Sequence, residues 1–272
     1  MSELKNTGNE RDIKKPEKNP AKKPRTPVFG LTPITSVLSV LFIYFAAQVV
    51  AINIYIAAKV VGGSSSRQAF EAFQDSLLAQ SVLITLIVAL VFLMVWGLLK
   101  ITATSWRQIG LNKPRPGYFG QALIGYGWYF LLFLSVTFIV GLFVPQVDLD
   151  QPQQLGFDRM ATGASLWIIG FCLVILPAFY EEVLMRGVLF TGLRKKLKLP
   201  MTMLIVSLVF AAAHLEWGGE NPLNWAAAID TFALSGVLVY LREQSKSLWP
   251  AIFLHGIKNL VAFTLVFVFK VA

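Results

Sequence analysis

The stretch "ASLWIIGFCLVILPAFY", residues 164–180, carries no charge, and "EEVLMRG", residues 181–187, follows it without a break. A helix rises about 1.5 Å per residue, so an apolar run of this length crosses much of a ~30 Å hydrocarbon core. In lipid the backbone must satisfy its own hydrogen bonds, which a helix does and an open strand does not. The rest of the chain repeats the pattern. Its 272 residues are 56% hydrophobic and 14% charged, whereas soluble domains are about a quarter charged. The mean hydropathy is +0.63. Apolar segments at 34–60, 77–99, 118–144, 163–192, 201–217, 224–241 and 248–270 predict about seven spans, with six to eight allowed because the fifth and sixth are short. Strand-like alternation is not sustained, which argues against a β-barrel. The expected fold is all-α, a polytopic transmembrane helical bundle over residues 34–270.

Residues 1–33 are a different material. Lys5, Arg11, Lys14, Lys15, Lys18, Lys22, Lys23 and Arg25 alternate with prolines 16, 20, 24, 27 and 33. Such a segment buries too little apolar surface to fold alone, and is expected to be a disordered cytoplasmic tail against anionic lipid. It has no aromatic cluster to stack on bases, so nucleic acid is not an expected partner. Nor does it read as a signal peptide, because the apolar segment after it is too long.

The links between spans sort by charge. The tail, the 100–117 link (Lys100, Arg107, Lys113, Arg115), the 193–200 link ("LRKKLKLP") and the 242–247 link (Arg242, Lys246) are basic. The 60–76 link (Arg67 against Glu71 and Asp75), the 145–162 link (Asp148, Asp150 and Asp158 against Arg159) and the 218–223 link (Glu220) are not. Basic links favour the cytoplasm. A multi-pass cell-membrane protein with its N-terminus cytoplasmic and its C-terminus external follows.

Ionisable residues inside spans are costly and mark functional sites. They are Glu181, Glu182, Arg186, His214, Glu216, Asp230, His255 and Lys258, with Gln48, Asn53 and Asn259 as uncharged companions. Glu182 and Arg186 are four apart and share a helix face, which suits an internal ion pair. Glu181 lies about 100° round the helix and is not absorbed by that pair. His255 and Asn259 are also four apart, as are Phe210 and His214. The helical rise puts Glu181, His214 and His255 roughly 16, 20 and 10–12 Å from the cytoplasmic ends of their spans, compatible with one layer. Pro177, four residues before Glu181, removes a helix hydrogen bond and can open room for water.

A carboxylate beside an imidazole can deprotonate water, and a second imidazole with an amide can hold an oxyanion. That is a kit for amide hydrolysis. Cys172 is the only cysteine; no disulfide is available, and it has no adjacent base to make it a nucleophile. The other use of these groups is a zinc site with Glu181, His214 and His255 as ligands, although the H-E-x-x-H signature is absent. A proton-coupled transporter is a third use, but the paired halves typical of transporters are not seen.

"EEVLMR", "FAAAH" and "HGIKN", in this order, resemble the E-E-x-x-x-R, F-x-x-x-H and H-x-x-x-N motifs of the CPBP or Abi family of CAAX proteases and bacteriocin-processing relatives. The lead-in "SLWPAIFLHGIKN" is also similar. The resemblance covers roughly 165–270; the first three spans match only as hydrophobic helices. It implies an intramembrane endopeptidase with a catalytic core over 163–270, like a type II CAAX prenyl endopeptidase. Glu181 and His214 would activate water, His255 and Asn259 would form the oxyanion hole, and Glu182 and Arg186 would support them. No cofactor is required on this reading, zinc being the alternative. The implied partner is a peptide or membrane-protein substrate, prenylated ones included, cut near the cytoplasmic side. The rival on the same scaffold is a non-catalytic membrane adaptor or bacteriocin-immunity protein. Lys258 stands where the family commonly has a small or apolar residue.

Overall fold

The computed structural model describes residues 30–149, 151, 157, 161–215 and 223–271. The tail up to residue 29, Asp150, Asp158, Arg159, Glu216 and Glu220 lie outside the described residues. Helices and turns make up the described chain, with no strand among them.

Helix α1 (Pro33–Val61) starts where Thr32 caps it, its hydroxyl accepting from the Thr35 backbone N–H, with Pro33 at the first position. A short helix α2 (Ser66–Asp75) and helices α3 (Leu77–Ile101) and α4 (Gly117–Phe143) follow. The uncharged stretch and the paired acids after it form α5 (Ala164–Gly170), a π-helical turn (Phe171–Ile175), α6 (Leu176–Glu182), a second π-helical turn (Val183–Leu189) and α7 (Phe190–Arg194). Then come α8 (Leu199–Ala212), α9 (Trp225–Ser245) and α10 (Trp249–Phe263), which ends in a third π-helical turn (Thr264–Val268). The chain is a multi-pass membrane protein.

Six of these segments are long and apolar enough to cross a membrane: α1, α3, α4, the composite Ala164–Arg194, α9, and α10 with its π-turn to Val268. The expected fifth span differs. α8 has 14 residues, about 21 Å at the helical rise, and His214 falls in the turn beyond it rather than inside a longer helix. Its ring Nδ1 takes the place of a further helical turn, lying 2.7 Å from the Phe210 carbonyl that the helix end leaves free.

Lipid-facing and inward faces separate as a bundle requires. On α1, Val40, Ile43, Ala47 and Ala51 are buried while Leu38, Phe42, Phe45 and Val49 are exposed, a three-and-four spacing that marks one inward stripe. Close approach depends on glycine at one contact: a Cβ on Gly192 would stand 2.3 Å from the Ser36 hydroxyl and 2.9 Å from the Thr32 carbonyl. The main core joins α1, α3, α4, the second π-turn, α8, α9 and α10 through Val40, Val95, Ala122, Val188, Val206, Leu238 and Leu254.

The links meet at two ends. At one, the Leu248 N–H donates to the Gly110 carbonyl at 2.9 Å, the Trp249 indole donates to the Asn112 carbonyl at 2.6 Å, and Arg194 pairs with Glu243 at 3.1 Å. The three basic links therefore lie together. At the other, the Trp225 N–H donates to Gln151 at 2.9 Å and Lys270 reaches the Ala161 carbonyl at 3.5 Å.

Candidate active site

Pro177 sets the local geometry of the helix that carries the first motif. It has no N–H, so the Leu173 carbonyl four residues earlier loses its helical donor. The chain answers with the wide π-turn at Phe171–Ile175, and the Asn259 amide from α10 donates to the Leu173 carbonyl at 3.2 Å. One proline thus docks the third motif against the first. π-Turns are rare and collect at functional sites.

Glu181 stands one residue short of the end of α6, where the second π-turn begins. Its Oε2 lies 3.9 Å from Nε2 of His214 and 3.9 Å from Nε2 of His255. Both gaps are too long for a hydrogen bond, and that oxygen is buried without a partner among the described residues. The tautomer of His214 follows from its surroundings. A carbonyl only accepts, so His214 Nδ1 carries the hydrogen for Phe210 and Nε2 keeps a lone pair. Water placed about 2.8 Å from both Oε2 and Nε2 spans the gap with ordinary hydrogen bonds.

Glu182 and Arg186 are fully buried. Arg186 Nη1 donates to Glu182 Oε1 at 3.0 Å, as the four-residue spacing predicts. The same oxygen also takes His255 Nδ1 at 2.9 Å. Glu182 is therefore shared between the ion pair and the third motif, a contact that the spacing did not foresee. The Arg186 guanidinium lies 4.5 Å from the Phe210 ring centre, which supports it as a cation–π partner. Phe210 packs its edge on both histidines, at centroid distances of 4.6 Å to His214 and 5.9 Å to His255.

Glu181, His214, His255 and Asn259 line one cavity of about 160 Å³ together with Pro177, Thr231 and Lys258. Lys258 Nζ lies 2.7 Å from Asp230 Oδ2, and the Tyr129 hydroxyl donates to the other Asp230 oxygen. Asp230 faces a neighbouring cavity of about 240 Å³ that includes Phe133, Thr137 and Gln151. Gln48 and Asn53 of α1 return their amides to their own helix, at Tyr44 and Val49, so Asn53 takes no part in the cluster.

Two further residues reach Glu181. Tyr180 and Tyr44 of α1 both stand within electrostatic reach of its carboxylate. Tyr180 has a sequence signal, its place beside Glu181. Tyr44 has none, because only packing brings α1 there.

As zinc ligands the same three groups are widely spread. Donors 3.9 Å apart, each about 2.1 Å from an ion, subtend roughly 140° rather than the tetrahedral ~109°. Among the described residues they do not form a cluster able to hold a metal ion.

Neither the curated proteins nor the solved structures include a match to this chain. The segment that carries all three motifs, residues 163–261, matches the family described as type II CAAX prenyl endopeptidase Rce1-like, the membrane-protease family to which those motifs point.

Proposed function

We propose that the protein is an intramembrane endopeptidase that hydrolyses a peptide bond with water activated by Glu181 and His214. The observation that carries the reading is the pair of 3.9 Å gaps around Glu181 Oε2. One gap suits a water between a carboxylate and an imidazole lone pair, and the other faces a second imidazole. The water oxygen attacks the scissile carbonyl carbon and its proton passes to Glu181. His255 Nε2–H and the Asn259 amide hydrogen not used by Leu173 donate to the oxyanion. The C–N bond then breaks, and the proton on Glu181 goes to the leaving amine.

Donation from Nε2 while Nδ1–H is given to Glu182 requires His255 to carry both hydrogens. Its charge and that of Arg186 then balance Glu181 and Glu182, so the buried cluster is neutral overall. Positioned base chemistry contributes about 10²–10⁴-fold and one oxyanion donor about 10²–10³-fold.

The metal-free form of this reading has a structural reason. If Glu181 became a ligand, the base would have to be Glu182, whose Oε1 already holds Arg186 and His255. The substrate is a peptide or a membrane-anchored protein, the membrane is the cell membrane with the N-terminus cytoplasmic, and the basic tail contacts anionic lipid. The test uses purified protein in nanodiscs with two probes: an S-farnesylated peptide ending in a Cys-aliphatic-aliphatic-Met sequence, and an unmodified hydrophobic peptide. Mass spectrometry should find cleavage by the wild type and loss of it in Glu181→Gln. Equal cleavage by the variant overturns the roles. No cleavage of any peptide, with partner binding retained, favours the adaptor reading.

A further inference from the structure

Lys258, Asp230 and Tyr129 come from three helices, α10, α9 and α4, and meet inside the bundle. Charged groups within spans are costly, and those that persist mark function. Stability does not account for this pair, because exchanging a buried ion pair for apolar side chains of similar size is often neutral or stabilising. The hydrolysis given under Proposed function uses none of the three. The pair also has a direction. Lys258 lines the catalytic cavity with Glu181, His214, His255 and Asn259. Asp230 lines the neighbouring cavity with Phe133 and Thr137. Lys258 Nζ and Asp230 Oδ2 are 2.7 Å apart, so the two charges form a dipole whose positive end belongs to the catalytic cavity.

We infer that the Lys258–Asp230 pair is an electrostatic element of the reaction: a fixed dipole that favours the oxyanion as it forms. The inference rests on the hydrolysis given under Proposed function. As water attacks, its proton neutralises Glu181 and the negative charge appears on the substrate carbonyl oxygen. The charge thereby leaves α6 and moves toward His255 and Asn259 on α10, the helix from which Lys258 also rises. An interaction that strengthens along this path raises kcat rather than tightening substrate binding.

Two features suit the pair to this task. It adds no net charge to the cavity, so the balance among Glu181, Glu182, Arg186 and His255 is left as it was. It is also held before the reaction begins. Asp230 is fixed from α4 by the buried Tyr129, whose hydroxyl donates to the oxygen that Lys258 does not take. Lys258 sits three residues after His255 and one before Asn259, so α10 sets its backbone relative to both oxyanion donors. A dipole fixed in advance needs no reorganisation when the charge develops.

The test compares two double variants of the full chain in nanodiscs, each read by thermal unfolding and by kcat and KM on whichever of the two peptides the wild type cleaves faster. Lys258→Met with Asp230→Asn removes both charges and leaves Tyr129 an acceptor. Lys258→Asp with Asp230→Lys keeps an ion pair, and a tyrosine hydroxyl can accept as well as donate, but the dipole is reversed. Both should unfold near the wild-type temperature. The neutral pair should keep KM within about twofold and lose about tenfold in kcat, and the reversed pair should lose about tenfold more. A neutral pair with wild-type kcat overturns the inference, as does a loss that falls entirely in KM. So does a folded reversed pair as active as the neutral one, since a purely structural pair is indifferent to its direction. If the reversed pair fails to fold, the neutral pair decides alone. No cleavage by the wild type overturns the proposed hydrolysis and this inference together. Cleavage that is lost in Glu181→Gln but undiminished in the neutral pair overturns this inference alone.

Discussion

Glu182 accepts from Arg186 and His255 in a place with no exposure to solvent. Removing one partner of a buried ion pair strands a charge, at a cost of about 3–5 kcal/mol. Arg186→Met should therefore lower the melting temperature and yield in detergent sharply. Glu182→Gln in the same chain should recover much of the loss, because an amide oxygen still accepts His255 Nδ1–H and no charge remains unpaired. A double variant no more stable than Arg186→Met would show that the cation–π contact with Phe210, not the ion pair, sets the stability. Asn259→Ala tests a different link. It should cut kcat/KM by about 10²–10³-fold and also expose the Leu173 carbonyl. Asn259→Gln, too long for either bond, should not restore activity.

At the scale of elements, the π-turns mark where ordinary helix was exchanged for site geometry. Pro177→Ala returns an N–H to the chain, and the interior of a helix gains about 3 kcal/mol when a proline is removed. Leu173 then has a helical donor and no longer needs Asn259. The expected result is a protein at least as heat-stable as the wild type but roughly tenfold less active, read by thermal unfolding and by cleavage rate on one preparation. Equal activity would mean that the Asn259–Leu173 bond does not set the oxyanion site. A second element-level test lies in the basic-end clasp. Gly110 has φ +96, and a Cβ there would come within 2.6 Å of the Arg242 guanidinium carbon. Arg242 donates to the Arg186 carbonyl of the second π-turn at 3.2 Å. Gly110→Ala should thus destabilise by more than the ~1 kcal/mol of left-handed strain alone, and Arg242→Ala in the same chain should relieve part of that cost.

At the scale of the whole molecule, charge and packing agree on which links share an end. The basic links at 100–117, 193–200 and 242–247 are joined by hydrogen bonds and by the Arg194–Glu243 pair. A single cysteine at position 196 in a Cys172→Ser background should react with an impermeant reagent only from the cytoplasmic face, and one at position 148 only from the external face. Reversal of both would leave the bundle intact and invert its placement in the membrane. The grouping of the links depends on short-range contacts, whereas the choice of face depends on insertion.

Helical periodicity and hydrophobic length were sufficient for the helical membrane fold, because each span satisfies its backbone locally. They failed at α8, where a continuous apolar run hides a helix end that His214 caps. The ordered motifs pointed to Glu181, His214, His255 and Asn259, and fixed spacing made the Glu182–Arg186 pair legible as neighbours on one face. Distances across the bundle were not legible. That His255 shares Glu182 with Arg186, that Lys258 and Asp230 find each other with Tyr129, and that Tyr44 of the first helix comes within electrostatic reach of Glu181 depend on segments far apart in the chain. Such contacts depend on how helices rotate and cross, which no local pattern encodes. The burial of every residue from Glu182 to Phe190 belongs to the same class: it is imposed by α1, α8 and α9 packing around the second π-turn.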